Sequence, residues 1–339
     1  LDNFEPYNDI WYKNCFYHAL FPIIKHFNRD IFPFIVNDIF IYKYNNSKVG
    51  VEFDLEIIEK DNIEKILEDM SISVFTKVES PNILEDLIDS INNERPVIIY
   101  IDQYYESIRP DSYQKNHWGH TLLIYGYNNI EESFNIIEHR YRDCFLYEKR
   151  IMSYSDVEKC YNGFIANFQK EKKYPTYYEY TMKHSDPSFN KYNIFKKSDY
   201  VDMFFENLQE NRKAIYNGIE NIKLFTGDYK KMVFDEMALK NNVDSLLDSL
   251  NRLVGNKNLE RYYILKLLDS KLTSIELCNA IINDWNFIRS IIGKYQLTLK
   301  YNLKSFEKTI EKLIEIYELE YQWYDSLFSL YSQYSQVRD

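Results

Sequence analysis

The sequence predicts an α+β domain over residues 1–190 followed by an α-helical bundle domain over residues 191–339. Three observations carry this expectation. Strand-like and helix-like patterns alternate before about residue 190 and give way to helical spacing alone after it. The 339 residues exceed what one hydrophobic core usually fills, roughly 200–250 residues, so two domains are expected. With only 8 Gly and 8 Pro, sharp turns are few, which favours long helices over a many-stranded sandwich.

In chain order, residues 41–55 read as a hairpin around the turn-rich triplet Asn45-Asn46-Ser47. Residues 62–69 and 80–92 carry apolar side chains at helical spacing, the second introduced by Ser80-Pro81-Asn82. The run Val97-Ile98-Ile99-Tyr100-Ile101 is apolar and β-branched without interruption, as in a strand buried on both faces. Residues 120–127 and 134–139 form a strand pair joined by the polar turn 128–133. Residues 153–160 start a short helix that Ser153 or Ser155 can cap. Beyond residue 195, segments 199–222, 243–254, 259–267, 274–295 and 303–331 repeat apolar residues at i, i+3, i+4, i+7. Breaks are expected at Gly227-Asp228, Gly255-Asn256 and residues 300–302, giving four to six helices whose role is packing.

Composition narrows the function. A formal net charge of −11 argues against nucleic acid as a partner, because phosphate binding needs a basic footprint. No apolar run approaches the roughly 20 residues that cross a bilayer, so no membrane association is expected. The start Leu1-Asp2-Asn3-Phe4-Glu5 is neither basic nor followed by an apolar leader core. Cys15, Cys144, Cys160 and Cys278 are scattered with no CxxC pair, the pattern of reduced thiols in the cytoplasm. His117 and His120 are the only close pair of metal-type ligands and lack supporting carboxylates, so no metal is expected. The 32 Tyr and 22 Phe read as mutational bias in an AT-rich genome rather than as an aromatic binding platform.

Three segments carry candidate chemistry. In Asn14-Cys15-Phe16-Tyr17-His18 a cysteine opens an apolar helix, where unpaired N–H groups stabilise a thiolate. Pro22 inside that run predicts a kink or a later helix start. In Asn116-His117-Trp118-Gly119-His120 a histidine opens an apolar strand, a rigid mounting for a base that faces a helix-borne thiol. His117 competes, but its place ahead of the strand favours His120. In Phe134-Asn135-Ile136-Ile137-Glu138-His139 the returning strand brings residue 138 or 139 beside residue 122, diagonal to His120. A carboxylate there fixes the imidazole tautomer. Glu138 is the natural candidate, with His139 or Asp143 taking its place if the register slips by one. Taken singly, each segment is as well explained by a core cysteine, a buried structural histidine or a surface salt bridge.

Together, in their order, the segments resemble the N-terminal domain of the butirosin-biosynthesis acyltransferase family. The resemblance covers residues 8–165. It rests on Asn14-Cys15, the strand Arg95-Pro96-Val97-Ile98-Ile99-Tyr100-Ile101-Asp102-Gln103-Tyr104-Tyr105, His120 leading to Gly126-Tyr127-Asn128, and Ile136-Ile137-Glu138-His139. It implies a papain-like cysteine-protease fold with Cys15 as nucleophile, His120 as general base and acid, and Glu138 as third member. Glu138 departs from the Asp or Asn usual in that family. Papain-like enzymes also place a Gln ahead of the cysteine to hold the oxyanion. None precedes Cys15 here, so Asn8 is the substitute, Asp9 being an anion. Asp102 then has a structural or substrate-facing role.

The resemblance further implies amide formation in secondary-metabolite or nonribosomal peptide biosynthesis. An acyl group would arrive on the phosphopantetheine of an acyl or peptidyl carrier protein, pass through acyl-Cys15, and end on a small amine. That amine would be a diamine in the member type that makes the closthioamide backbone. No cofactor is implied on the enzyme itself. Lys170, Lys172, Lys173, Lys196 and Lys197 are the best basic clusters for an acidic carrier. The alternatives are a cysteine peptidase or amidase on the same fold, and a non-catalytic binding protein that retains it.

Overall fold

The computed structural model describes residues 1–45, 52–141, 144, 146–171, 173–183, 190–193, 195–268 and 273–336. The elements run α1 (Cys15–His26), α2 (Phe32–Asn37), β1 (Asp38–Asn45), β2 (Glu52–Glu59), α3 (Ile63–Asp69), β3 (Ile72–Lys77) and α4 (Ile83–Asn92). They continue with β4 (Val97–Asp102), a 3-10 turn (Gln103–Tyr105), β5 (Gly119–Asn128), β6 (Ser133–His139), β7 (Tyr147–Ser153), α5 (Tyr154–Phe168) and β8 (Tyr177–Met182). Helices α6 (Lys197–Glu210), α7 (Arg212–Phe234), α8 (Glu236–Leu267), α9 (Thr273–Thr298) and α10 (Leu303–Gln336) complete the chain. This is an α+β arrangement, a mixed N-terminal region followed by a helical region. Among the described residues no helix is long and apolar enough to cross a membrane.

Short polar side chains set where several helices begin. The side chains of Asn14, Asn62, Ser153 and Asp235 accept hydrogen bonds from backbone N–H groups in the first turns of α1, α3, α5 and α8. Helix α1 starts at Cys15 and runs through Pro22, so the later start expected from that proline does not occur.

The chain divides into two compact units, Leu1–Pro33 with Asn62–Ile194, and Phe34–Asp61 with Phe195–Asp339. The first holds a six-stranded sheet in the order β3-β8-β4-β5-β6-β7, antiparallel throughout. Val97, Ile99, Ile101, Leu122, Ile124 and Ile136 of the sheet form one core with Ile83 and Leu87 of α4 and Val157, Cys160 and Tyr161 of α5. Burying each such aliphatic side chain contributes about 1.5–3 kcal/mol.

Three of these strands have no counterpart in the sequence expectations. In β8, Tyr177 and Tyr180 are buried between β3 and β4, so part of the tyrosine run is core rather than compositional noise. In β7, Glu148-Lys149-Arg150 interrupts the apolar alternation, because an edge strand tolerates charge that a central strand would not.

The second unit includes a segment that the sequence placed with the sheet. Strands β1 and β2 form a separate two-stranded ladder from Asp38↔Glu59 to Asn45↔Glu52, and they pack with α7 and α8. The expected turn at Asn46-Ser47 lies outside the described residues. Gly218 permits this packing, since a Cβ there would lie 3.0 Å from the Tyr42 backbone nitrogen and 3.1 Å from its oxygen. Gly227 and Gly255 do not end helices as expected. A Cβ at either would meet nothing within 4 Å, and the breaks fall at Asn211 and Asp235 instead.

Within this unit the Lys257 ammonium is fully buried, 2.7 Å from Glu260 and 2.7 Å from Glu320. Tyr42 donates to Glu320 at 2.6 Å, and Tyr324 donates to Glu260 at 2.7 Å. Burial alone would pull Lys257 down, but the two carboxylates outweigh it and hold the ammonium above its ordinary value. Replacing Lys257 by Met leaves two buried anions without a counter-ion. We expect a loss of about 3–5 kcal/mol in urea unfolding, and a loss below 1 kcal/mol would show that the cluster contributes little.

Candidate active site

The N-terminus of α1 is held by the residue that precedes it. Asn14 is extended, with φ −158°, and its Oδ1 accepts from Phe16 N–H. Just before it, Lys13 adopts φ 49°, a left-handed conformation that costs an L-residue roughly 1–2 kcal/mol. The buried His18 ring ties this turn down. Its Nδ1–H points to Tyr7 O at 3.3 Å, and its Nε2 accepts from Tyr12 N–H at 3.0 Å. The ring is stacked against Trp11 at 4.5 Å and Tyr147 at 4.7 Å. Burial pushes the His18 imidazole down to about 4.

Cys15 is half-buried and interacts directly with His120 through charge and a hydrogen bond. Burial by itself would push the Cys15 thiol up. The His120 charge and hydrogen bonding, aided by the Thr121 backbone, outweigh it and bring the thiol down to about 7. Burial pushes the Cys160 thiol up instead, and the Cys278 thiol up to about 12, which leaves both inert.

His120 stands opposite Ile101 on β5, and its Nε2 lies 2.9 Å from Glu138 Oε2, leaving Nδ1 for the sulfur. A β-bulge decides which residue of β6 reaches it. The ladder runs Tyr127↔Phe134 and Gly126↔Asn135, then shifts to Ile124↔Ile136 and Leu123↔Ile137. Carried one step further, the shifted register sets Glu138 opposite Leu122, on the face of His120. Without the shift His139 would occupy that position.

Glu138 is completely buried. Its Oε1 accepts from Arg109 Nη1 at 3.1 Å and from His139 N–H at 2.9 Å. Burial would raise this carboxyl, but the His120 charge and the hydrogen bonds of His120 and His139 hold it well below the usual carboxylate range. For His120, burial pulls downward and is overcome by Glu138 and Cys15, so the imidazole sits well above its ordinary value. These shifts favour the thiolate–imidazolium form of the pair, with the thiol near 7 and so divided between thiol and thiolate at neutral pH. Burial and the nearby Glu138 charge push the buried Glu106 up to about 8. Largely protonated at neutral pH, Glu106 leaves Glu138 as the working anion.

The other sequence candidates fall in different places. His139 Nδ1 lies 2.9 Å from Glu138 Oε1, so it braces the carboxylate rather than replacing it. Asp143 lies outside the described residues, as does Lys172. Asn8 has both its amide oxygen and its amide nitrogen engaged by a backbone. Its amide donates to Tyr147 O and accepts from Tyr147 N–H, both at 2.8 Å, which pins the N-terminal segment to the edge strand β7. Lys170 and Lys173 are exposed in the first unit, and Lys196 and Lys197 are exposed in the second. Asp102 is buried and holds His117 rather than His120. Ligand atoms of His120, Glu138 and His139 lie within 4.8 Å of one another, a donor set suited to a metal. Arg109 Nη1, 3.1 Å from both Glu138 Oε1 and His139 Nε2, already supplies positive charge there, and an ion would have to displace it.

Arg109, Glu106 and His18 of this site were missed in the sequence. Arg109 comes from a loop with no periodicity and carries no signal. His18 carried one, a histidine on the buried face of an apolar helix three residues after the nucleophile.

Two outcomes test this geometry. Alkylation of Cys15 by iodoacetamide should titrate with a midpoint near pH 7, the value to which the thiol is lowered. In His120→Gln the midpoint should rise by at least one pH unit, and an unmoved midpoint would uncouple the two groups. His18 is neutral when folded, whereas in the unfolded chain it binds a proton below its ordinary 6.5. Stability from this residue is therefore complete above pH 6.5 and is lost as pH falls towards 4, by up to about 3 kcal/mol. His18→Gln should flatten that part of the stability–pH curve. No protein-family model matches the chain, and no curated protein matches it significantly.

Proposed function

We propose that the protein is a cysteine-dependent acyltransferase that forms an amide through an acyl-Cys15 intermediate. The observation that carries this reading is the line from a half-buried thiol at the head of α1, through His120, to the buried Glu138. A helix-borne cysteine beside an antiparallel sheet that supplies its histidine also agrees with a papain-like cysteine-protease plan.

In this reading the Cys15 thiolate attacks a thioester carbonyl. His120, protonated at rest, gives its proton to the departing thiol and is left as a base. Glu138 keeps the ring oriented and stabilises its charged form. Arg109 and His139 hold Glu138 in turn, so the carboxylate cannot swing away. An amine then attacks the acyl-enzyme, and His120 recovers a proton as the thiolate leaves. The donor is an acyl thioester on an acyl or peptidyl carrier protein, and the acceptor is a small amine. A hydrolase would pass through the same acyl-enzyme and differ only in using water.

Intact-mass analysis after incubation with an acyl-pantetheine thioester provides the test. We expect one acyl mass added to the wild-type chain and none to Cys15→Ala, with an amide released when an amine is supplied. Free acid as the only product in the presence of amine would make the protein a hydrolase. No adduct under any condition would leave a binding protein.

A further inference from the structure

We propose that His117 and Asp102 form a second acid–base pair, which takes up the additional proton released when the amine acceptor enters as an ammonium ion. This rests on the acyl-Cys15 reading above and adds a residue that the reading does not use.

The geometry is that of a prepared base. Asp102 is completely buried, and its Oδ2 lies 2.6 Å from His117 Nδ1. Its position is fixed by Asn167 Nδ2 at 2.9 Å, Tyr104 N–H at 3.1 Å and Trp118 N–H at 3.3 Å. The His117 side chain remains 47% exposed. Its ring stacks on Tyr104 with centroids 4.3 Å apart. A proton on Nδ1 would be donated to Asp102 Oδ2, which leaves Nε2 as the ring's acceptor nitrogen. The groups facing the ring are Asp102 from β4, Asn167 from α5, and Tyr104 and Tyr105 from the 3-10 turn. Gly163 lets α5 approach closely enough for Asn167 to take part, because a Cβ there would fall 2.4 Å from the Tyr105 ring. A single imidazole does not make a metal site, so the pair is suited to a proton.

Its location links it to the nucleophile. Asp102 pairs with Gly119, and the adjacent rung pairs Ile101 with His120. The two histidine–carboxylate pairs therefore occupy the same end of the β4–β5 hairpin. Aromatic contacts connect them as well, Phe16 to Tyr100 at 6.5 Å and Tyr100 to Phe164 at 5.2 Å, with Phe164 one turn before Asn167 on α5.

The proton count leaves one proton for a second acceptor. Acylation consumes the His120 proton on the leaving thiol. In deacylation the ammonium must first lose one proton to become a nucleophile. Its nitrogen then bonds to the acyl carbon, the C–S bond breaks, and a second proton leaves the nitrogen. His120 recovers one proton and restores the thiolate–imidazolium pair. The other goes to His117 Nε2 and from there to solvent.

The test compares two acceptors on preformed acyl-Cys15. Ethylamine is an ammonium at pH 7, whereas hydroxylamine is neutral. In His117→Gln we expect aminolysis by ethylamine at pH 7 to fall about 100-fold. That defect should shrink as pH rises towards the amine's pKa, while the hydroxylamine rate stays within about twofold. Added imidazole should restore the ethylamine rate in His117→Ala. Equal losses with both acceptors, or no loss with ethylamine, would overturn the inference alone. Failure of the wild-type chain to form any acyl adduct would overturn the acyl-enzyme reading and this inference with it.

Discussion

The buried Glu138 carboxylate is the constraint on which the rest of the candidate site depends. A buried anion is tolerable only when its lone pairs are filled and a counter-charge is close. Glu138 meets both conditions through His120, Arg109 and the backbone and ring of His139. The consequence runs outward to the sulfur. An anchored anion favours imidazolium at His120, and imidazolium favours thiolate at Cys15. Each group is perturbed in the direction that its neighbour requires.

A second set of contacts keeps the sulfur where that charge can act on it. The turn at Lys13 is held in an unfavourable conformation, and the surrounding residues must over-determine it. His18 reaches back to Tyr7 and Tyr12, and Tyr147 supports the His18 ring while Asn8 grips the Tyr147 backbone. Tyr147 also lies against His139, with ring centroids 4.9 Å apart. The edge strand thereby bears on both the nucleophile's helix and the carboxylate's brace. Asn8 holds this frame through the Tyr147 backbone.

The helical unit solves a similar problem without reactive geometry. Lys257, Glu260 and Glu320 are buried together, with tyrosine and tryptophan donors on one oxygen of each carboxylate. The free Cys278 thiol beside Lys257 is pushed up to about 12 by burial, so it is no ready nucleophile. Such a cluster selects one packing of α8 and α10 against the β1–β2 hairpin, because any other arrangement would strand a charge.

Residue order and period were enough for the α+β character, the helical second half and the β4–β5–β6 strands, and with the resemblance they marked Cys15 and His120, leaving Glu138, His139 and Asp143 as candidates for the third member. These are local properties: an apolar run, a cap, a histidine at a strand start. What the tertiary structure decided is non-local. The bulge after Ile124 chose Glu138 over His139, and no propensity in either strand announces a one-residue shift. Arg109 reached Glu138 from a loop 29 residues away. The hairpin joined the helices because Gly218 let α7 touch the Tyr42 backbone, a fit between surfaces 176 residues apart. Period and composition describe what each segment can become. Which segments meet depends on close packing and on the need to pair every buried charge, and those are properties of the whole folded chain.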